Sequence, residues 1–279
     1  MLGQKADVVY GLLVKGITGF FHEQGKERAV LGLSGGIDSA VVLCLAVEAL
    51  GRENVHALLM PSPFSTLHSV ADAVELSDNL NVGYSIVPIE GILNRYIKEM
   101  DELFCTDIKD ITQENLQARI RANILMAYAN NTGALLLNTS NKSELAMGYG
   151  TLYGDLCGAL MVIADLYKLD VYELAHYINS INKVIPKSTL TKEPSAELRI
   201  DQKDSDTLPE YAVLDPILHS LIEKGISPQE LIGNGKERVL IDRIVKLMKS
   251  SEFKVHQLPP MLQLGDYPLL PHIKCFKCK

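Results

Sequence analysis

The chain has 279 residues, of which 47% are hydrophobic, and it carries a net charge of −7 at pH 7. This length can bury a large core, and we expect a single domain over residues 1–279. The acidic balance counts against nucleic acid as a partner, and the lack of an apolar run of about 18 residues counts against a membrane span. Because the start of the sequence lacks a signal-peptide pattern, we expect a cytoplasmic protein.

Apolar runs alternate with segments of helical spacing along the first half of the chain. The first segment, roughly residues 4–23, has apolar residues on one helical face and precedes the first predicted strand. Runs that suit buried parallel strands lie near residues 28–33, 54–60, 83–88 and 134–138. Helical spacing occupies residues 40–50, 65–80 and 113–131. This alternation predicts an α/β fold with a doubly wound, mostly parallel sheet and helices on both faces.

A short polar loop follows the first predicted strand and opens a helix. Its residues are Ser34, Gly35, Gly36, Ile37, Asp38 and Ser39. Adjacent glycines let backbone N–H groups approach an anion, and the helix N-terminus adds partial positive charge. Asp38 would repel a phosphate unless a cation lay between them, so we predict a nucleotide-phosphate site with Asp38 as a ligand of Mg²⁺. A glycine-rich helix start capped by Asp or Ser is the alternative interpretation.

The strand near residues 134–138 also ends in polar residues that open a helix. Thr139 stands at the strand end, and Glu144 follows five residues later. Helix capping by itself explains this pattern. Beside a phosphate loop, however, Glu144 becomes a candidate second carboxylate for the metal and Thr139 a candidate nucleotide contact. The carboxyl ends of parallel strands meet at one edge of the sheet, where such motifs converge.

Residues 148–155 contain three glycines and two tyrosines, which is typical of a loop that a ligand approaches closely. Further along, Asp165 or Asp170 could cap the next helix. Lys168 lies between them, and no local feature distinguishes it from an ordinary solvated lysine.

Residues 185–216 interrupt the regular alternation. They contain four prolines and many charges, without a clear period, and they predict a functional loop or a disordered one. Within this segment Pro194 stiffens the approach to Ser195, although a simple Pro-Ser turn also explains the pair. Helical spacing resumes afterwards at residues 217–224, 228–233 and 235–250.

The five cysteines, an odd number, predict reduced thiols. Cys275 and Cys278 form one CxxC pair in the tail of about residues 260–279. A single pair supplies half of a zinc site, so a frayed tail is the preferred interpretation over structural zinc.

The loop at residues 34–39 resembles the pyrophosphate loop of the N-type ATP pyrophosphatase family, whose members split ATP between the α and β phosphates. Four segments together, in the order and spacing of NAD synthetases, narrow this resemblance: residues 34–39, 138–144, 148–155 and 192–198. The resemblance implies an adenine nucleotide alpha hydrolase-like fold. It also implies ATP-dependent amidation of deamido-NAD to NAD, through an adenylated carboxylate, with release of AMP and pyrophosphate.

The resemblance assigns ATP and metal contacts by position. It implies that residues 34–39 hold the β and γ phosphates and that Asp38 and Glu144 bind Mg²⁺. The remaining ATP contacts that it implies are Met60, Thr139, Lys168 and Ser195.

The resemblance gives less information on the dinucleotide. Arg119 matches a deamido-NAD contact on the helix at 113–131, which the family uses in its dimer interface. One variant of the family contacts deamido-NAD with a lysine and an aspartate where this chain has Leu152 and Ala159. Other groups must therefore recognise the nicotinic-acid end here.

In the last step of this reaction, ammonia attacks the adenylate. The ammonium ion must therefore lose a proton first. Asp155 and Asp165 are candidates for a carboxylate that binds ammonium and assists this step, and both could instead be caps. The segment 185–216 is expected to act as a lid that excludes water.

Free ammonia is the expected nitrogen source, because no part of the sequence resembles a glutaminase domain. A separate glutaminase subunit is the alternative source. The resemblance also implies a homodimer. Two other functions stay open: another adenylating ATP pyrophosphatase, GMP-synthetase-like or tRNA-thiolating, and a nucleotide-binding module without catalysis.

Overall fold

The computed structural model describes residues 5–265 and 275–278. Within them, seven parallel strands form one sheet in the order β3-β2-β1-β4-β5-β6-β7. The strands are β1 (Ala29–Gly32), β2 (Val55–Leu59), β3 (Gly83–Ile86), β4 (Leu135–Asn138), β5 (Leu160–Met161), β6 (Met261–Gln263) and β7 (Cys275–Lys277). The central strand β1 pairs with β2 on one side and with β4 on the other, so that Val30 lies opposite both His56 and Leu136.

Helices connect the strands and cover both faces of the sheet. They are α1 (Ala6–Gln24), α2 (Ile37–Leu50), α3 (Leu67–Leu80), α4 (Glu90–Phe104), α5 (Asp110–Thr132), α6 (Lys142–Met147), α7 (Lys168–Ile181), α8 (Lys187–Thr191), α9 (Tyr211–Ile222), α10 (Pro228–Gly233) and α11 (Arg238–Val255). Among the described helices, none combines the length and the hydropathy that crossing a bilayer requires.

The alternation of side chains along β1 explains why the sheet needs two helical layers. Leu31 belongs to the core formed with α1, α2 and α7, whereas its neighbour Val30 belongs to the core formed with α4 and α5. Successive residues of a strand point to opposite faces, so an apolar strand buries both. A third core, which includes Met161, Leu214 and Ile241, joins β5 and β6 to α6, α9 and α11.

The predicted α/β fold is confirmed, and β1 to β4 lie within the four apolar runs. Two expectations were wrong. The segment 185–216 is partly regular, since it contains α8, a 3-10 turn at Asp204–Asp206 and the start of α9. Helix α9 continues through Pro216, because the burial of Leu214 and Ile217 outweighs one missing backbone hydrogen bond.

The second wrong expectation concerns the tail. Residues 275–277 pair in parallel with β6 as an additional strand rather than fraying. Residues 266–274 and 279 of the predicted tail lie outside the described residues, as do residues 1–4, on which the signal-peptide expectation partly rests.

Candidate functional site

A cavity of about 300 Å³ opens at the carboxyl ends of β1, β2 and β4. Residues that directly follow these three strands form its wall, among them Leu33, Met60 and Thr139. This is the edge of a doubly wound sheet at which ligands bind. The loop that joins β1 to α2 forms one end of the cavity.

The serine hydroxyls of this loop are held close together by the turn. Ser34 Oγ and Ser39 Oγ lie 3.1 Å apart, and the N–H of Gly36 donates to Ser34 Oγ at 3.2 Å. Gly35 has a φ of +78°, and a Cβ at this position would overlap the carbonyl oxygen of Ser69 at the start of α3. Glycine is therefore required by both the backbone conformation and the available space.

Three charged side chains from separate parts of the chain meet beside the loop. Lys168 Nζ lies 2.5 Å from Asp38 Oδ2 and 3.3 Å from Glu144 Oε1. The side chain of Lys168 is only 3% exposed. The structure thus brings together the two carboxylates and the lysine that the sequence singled out.

Helix starts position all three groups. Asp38 lies in the first turn of α2, and Glu144 forms a capping box with Asn141 at the start of α6. Lys168 is the first residue of α7, and its N–H donates to Ser143 Oγ at 2.9 Å. Asp215 accepts from Ser143 Oγ at 2.6 Å, and this bond joins α9 to the same corner.

The electrostatics of the cluster depend on burial. Burial raises the pKa of Glu144 to about 8, although the ammonium group of Lys168 opposes this shift. For Lys168, burial alone would lower the pKa, but Asp38 and Glu144 outweigh it and the pKa is raised. Lys168 therefore keeps its proton and supplies a fixed positive charge.

The donor set fits Mg²⁺ bound together with a nucleotide. Asp38 and Glu144 offer carboxylate oxygens, which this ion prefers. In the described part of the chain, no three acidic, His or Cys side chains are placed to share one metal ion. Phosphate oxygens and water would complete the coordination, as is usual for Mg²⁺ on a nucleotide.

The other residues assigned to ATP also lie on the cavity wall. Ile37, Met60, Thr139 and Ser195 all line it. Ser195 Oγ donates to the carbonyl oxygen of Gln202 at 2.5 Å, so this hydroxyl already has a partner within its own segment.

The two candidate ammonium ligands lie in different places. Asp155 lines the cavity, where the N–H of Thr151 donates to it at 2.6 Å and burial raises its pKa. Asp165 is not on the wall. It is 1% exposed, it pairs with Lys142 at 2.8 Å, and it accepts the N–H groups of Leu264 and Gly265. These contacts already satisfy its carboxylate, so nothing in its surroundings supports an ammonium site at Asp165, and that role stays a prediction.

Arg119 also lies off the wall of this cavity, and its role in binding deamido-NAD stays a prediction. Its Nε donates to the carbonyl oxygen of Leu152 at 3.2 Å. Arg121 lines the cavity instead, with Nε donating to the carbonyl oxygen of Met60 at 3.0 Å. Burial lowers its pKa to about 10, which leaves it charged at neutral pH.

Sequence reasoning missed Arg121 and also Asp204, which lies on the wall in the 3-10 turn. Arg121 could have been found from periodicity, because Ala118 and Leu125 share its helical face and line the same cavity. Asp204 has no such local signal.

The segment 192–198 covers one side of the cavity and is attached to the start of α3. Glu197 accepts hydrogen bonds from the N–H and the hydroxyl of Thr66, both at 3.2 Å, and from the hydroxyl of Ser69. Lys192 Nζ donates to Ser69 Oγ at 3.0 Å. This covering position suits a lid, and its opening and closing remain a prediction.

Comparison with known proteins places this geometry in a family. Residues 9–259 match the family model described as NAD synthase. The glutamine-dependent NAD(+) synthetase of Synechocystis sp. is 50% identical over 254 residues, which are 91% of this chain and 46% of that protein. The enzyme of the same name from Aquifex aeolicus is 45% identical over 92% of this chain and 45% of its own length. The chain thus spans about half the length of these relatives.

Two solved structures match over nearly their whole length. An NH3-dependent NAD synthetase from Campylobacter jejuni, in complex with the nitrate ion, is 32% identical with a TM-score of 0.75 over 90% of this chain and 96% of its own. An NMN synthetase from Francisella tularensis is 29% identical with a TM-score of 0.74 over the same two shares.

Proposed function

The chain belongs to the NAD synthase family, and we propose that it catalyses ATP-dependent amidation of deamido-NAD to NAD. The observation that carries this proposal is the meeting of Asp38, Glu144 and Lys168 beside the glycine loop. Such a site suits adenylation of a carboxylate. Mg²⁺ and a cytoplasmic location are part of the same proposal.

The chemistry explains why the site needs so much positive charge. A carboxylate resists attack by ammonia because its oxygen is a poor leaving group. Attack of the nicotinate carboxylate on the α-phosphorus of ATP releases pyrophosphate and converts that oxygen into part of AMP, which leaves readily. Ammonia then forms the amide bond.

The residues of the chain align and neutralise the reacting groups. The N–H groups and serine hydroxyls at 34–39 face the phosphates, and Lys168 provides a fixed positive charge next to them. Asp38 and Glu144 would hold Mg²⁺, which neutralises charge on the departing pyrophosphate when it is bound. Arg121 adds a further cation on the wall near Met60.

We propose ammonia as the nitrogen donor used by these residues, delivered as free ammonium or by a separate glutaminase. The Campylobacter jejuni protein, which this chain matches over 96% of that protein's chain, is named NH3-dependent, whereas the curated relatives of about twice the length are named glutamine-dependent. Ammonium and glutamine assayed separately distinguish the two sources.

We also propose a homodimer that uses α4 and α5. Each of these helices exposes a large apolar side chain, Leu103 of α4 at 67% and Ile111 of α5 at 59%. Where exposed apolar side chains are contiguous, they mark interaction surfaces, and we propose that these belong to such a surface. Analytical ultracentrifugation of the wild type and of Leu103→Glu tests this contact, and a monomeric wild type would contradict it.

The activity is tested by incubating the protein with ATP, Mg²⁺, ammonium and deamido-NAD and measuring AMP, pyrophosphate and NAD. We expect all three products in equal amounts. Release of AMP with a different acceptor, such as the mononucleotide analogue of deamido-NAD, would assign another adenylation. If the protein consumes no ATP with any acceptor, the remaining alternative is a nucleotide-binding module without catalysis.

A variant ties the activity to the metal carboxylates. Asp38→Asn removes one charge at nearly constant volume and should reduce AMP formation by about a hundredfold or more. Asp78→Asn, on the exposed side of α3, is the matched control and should keep full activity. Unchanged turnover in Asp38→Asn would remove Asp38 from the site.

A further inference from the structure

Asp204, a further carboxylate on the cavity wall, has an oxygen without a partner. Asp204 is only 5% exposed, and the hydroxyl of Tyr211 donates to its Oδ2 at 2.8 Å. Oδ1 is buried and accepts no hydrogen bond from the described residues. A buried carboxylate oxygen without a donor is costly, and such groups in folded proteins point to a missing partner.

The backbone around Asp204 holds the side chain in this position. Its N–H donates to the carbonyl oxygen of Pro194 at 3.0 Å, and its own carbonyl oxygen accepts from Leu208 at 2.8 Å. The 3-10 turn is thus attached to the segment that covers the cavity. The unpaired oxygen therefore has a fixed place on the wall.

The charges that face Asp204 favour a cation as the missing partner. Asp38 and Glu144 are acidic, and Lys168 is the cation that interacts with all three carboxyl groups. The neutral hydroxyl groups of Tyr149 and Tyr211 also face this carboxyl group, and both lower its pKa. Lys168 is the one cation among these four charged side chains, so an added positive charge beside Asp204 is stabilised.

The surroundings favour a monovalent nitrogen cation over a divalent metal. Asp204 does not combine with two further acidic, His or Cys side chains of the described residues into a metal site. The ring of Tyr211 already lies 5.4 Å from the Lys168 ammonium. A carboxylate beside tyrosine side chains suits an ammonium group, whereas divalent ions need several oxygen ligands.

We propose that Asp204 Oδ1 binds the ammonium ion that supplies the amide nitrogen. This inference rests on the proposed function, because ammonium is a substrate only in that reaction. Ammonium carries four N–H donors, one of which satisfies Oδ1. Asp204 thereby holds the nitrogen donor in the same cavity as the phosphate loop.

Asp204→Asn tests the proposal because it keeps the shape and an acceptor for Tyr211 but removes the charge. Two reactions are measured: deamido-NAD-dependent exchange of pyrophosphate into ATP without ammonium, and NAD formation at varied ammonium. We expect exchange within about twofold of wild type and a KM for ammonium that rises about tenfold to a hundredfold. Asp206→Asn, at an exposed position of the same turn, should change neither.

The pH dependence of this KM provides a second readout that a structural role would not produce. An enzyme that binds the ion has a KM for total ammonium that changes little below the pKa of ammonium. A variant that captures only neutral ammonia shows a KM that falls about tenfold for each pH unit of increase. We expect the first behaviour for wild type and Asp204→Glu, and the second for Asp204→Asn.

The remaining outcomes separate the two proposals. A wild type that performs neither exchange nor NAD formation overturns the proposed function and this inference together. A wild type that performs both, with an unchanged ammonium KM in Asp204→Asn, overturns this inference alone. This inference alone is also overturned if pyrophosphate exchange and the melting temperature of Asp204→Asn fall together, or if Asp204→Asn changes the Mg²⁺ requirement. It is likewise overturned if Asp155→Asn raises the ammonium KM and Asp204→Asn does not.

Discussion

Asn141 Nδ2 donates a 2.9 Å hydrogen bond to Asp38 Oδ1 across a sequence separation of 103 residues. The amide oxygen of the same side chain accepts from the N–H of Glu144 at 3.0 Å. One side chain thus caps α6 and orients Asp38 at the start of α2. Serine would cap the helix as well as asparagine does, so the cap alone does not require an amide.

Two variants of Asn141 separate these roles. Asn141→Ser keeps the cap and loses the donor to Asp38, whereas Asn141→Ala loses both. We expect both to reduce AMP formation about tenfold, and only the alanine to lower the free energy of unfolding, by about 1 kcal/mol. Steady-state assays and urea unfolding measure the two effects. Full activity in Asn141→Ser would show that the donor does not matter.

The glycine loop tolerates no side chain at its turn. Gly35→Ala should cost more than about 3 kcal/mol, because the residue must keep φ at +78° and its Cβ overlaps the Ser69 carbonyl oxygen. Gly133→Ala is the matched control, since φ is +72° there but the surrounding space is open. It should cost about 1–2 kcal/mol. Urea unfolding compares them, and equal costs would contradict the steric explanation.

Strand length decided how much of the fold the sequence predicted. β1 to β4 have four or five residues in apolar runs, whereas β5 has two residues and β6 has three. Strands this short are too brief to show a hydrophobic period in the sequence. They can be identified only from their pairing with neighbouring strands. α9 was predicted too short because Pro216 is a local signal that tertiary packing overrides.

The residues of the candidate site also fall into those that the sequence predicted and those that it did not. Asp38 and Glu144 were predictable because each follows the carboxyl end of a strand, and parallel strands bring these ends together. Arg119 and Arg121 lie two residues apart and about 200° around α5. Only the periodicity that Arg121 shares with Ala118 and Leu125 indicates which of the two arginines faces the cavity. The buried ion pair of Asp165 was not predictable, because its partner Lys142 lies 23 residues away in the sequence.

The buried pair of Lys142 and Asp165 supports a test of stability. Lys142 is 0% exposed and also lies 2.5 Å from Glu223. Lys142→Met should lower the free energy of unfolding by about 3–5 kcal/mol, because it leaves buried carboxylates without a counter-charge. Adding Asp165→Asn should recover part of this loss.

An exposed pair provides the control for this experiment. Arg95 and Glu99 lie 2.6 Å apart with side chains 71% and 46% exposed. Arg95→Ala should change the free energy of unfolding by less than about 1 kcal/mol. Urea unfolding compares the variants, and an equally small effect of Lys142→Met would show that the buried charges are compensated in another way.

The pH dependence of stability reports on Asp215, which joins α9 to the start of α7. Burial raises its pKa above the ordinary 3.8, although the hydrogen bonds from Ser143 and from the Leu169 N–H oppose this shift. A folded state with a raised carboxyl pKa binds more protons than the unfolded state. The contribution of Asp215 to stability is therefore full at pH below 3.8 and is lost as the pH rises through the folded pKa.

Asp215→Asn cannot titrate, so its free energy of unfolding should fall less steeply with rising pH than that of the wild type. The other buried carboxyl groups with raised pKa, such as Glu144, Asp155 and Asp204, act in the same direction in both proteins. The difference between the two curves therefore isolates Asp215. Urea unfolding at a series of pH values measures it, and parallel curves would show that the folded protein does not raise this pKa.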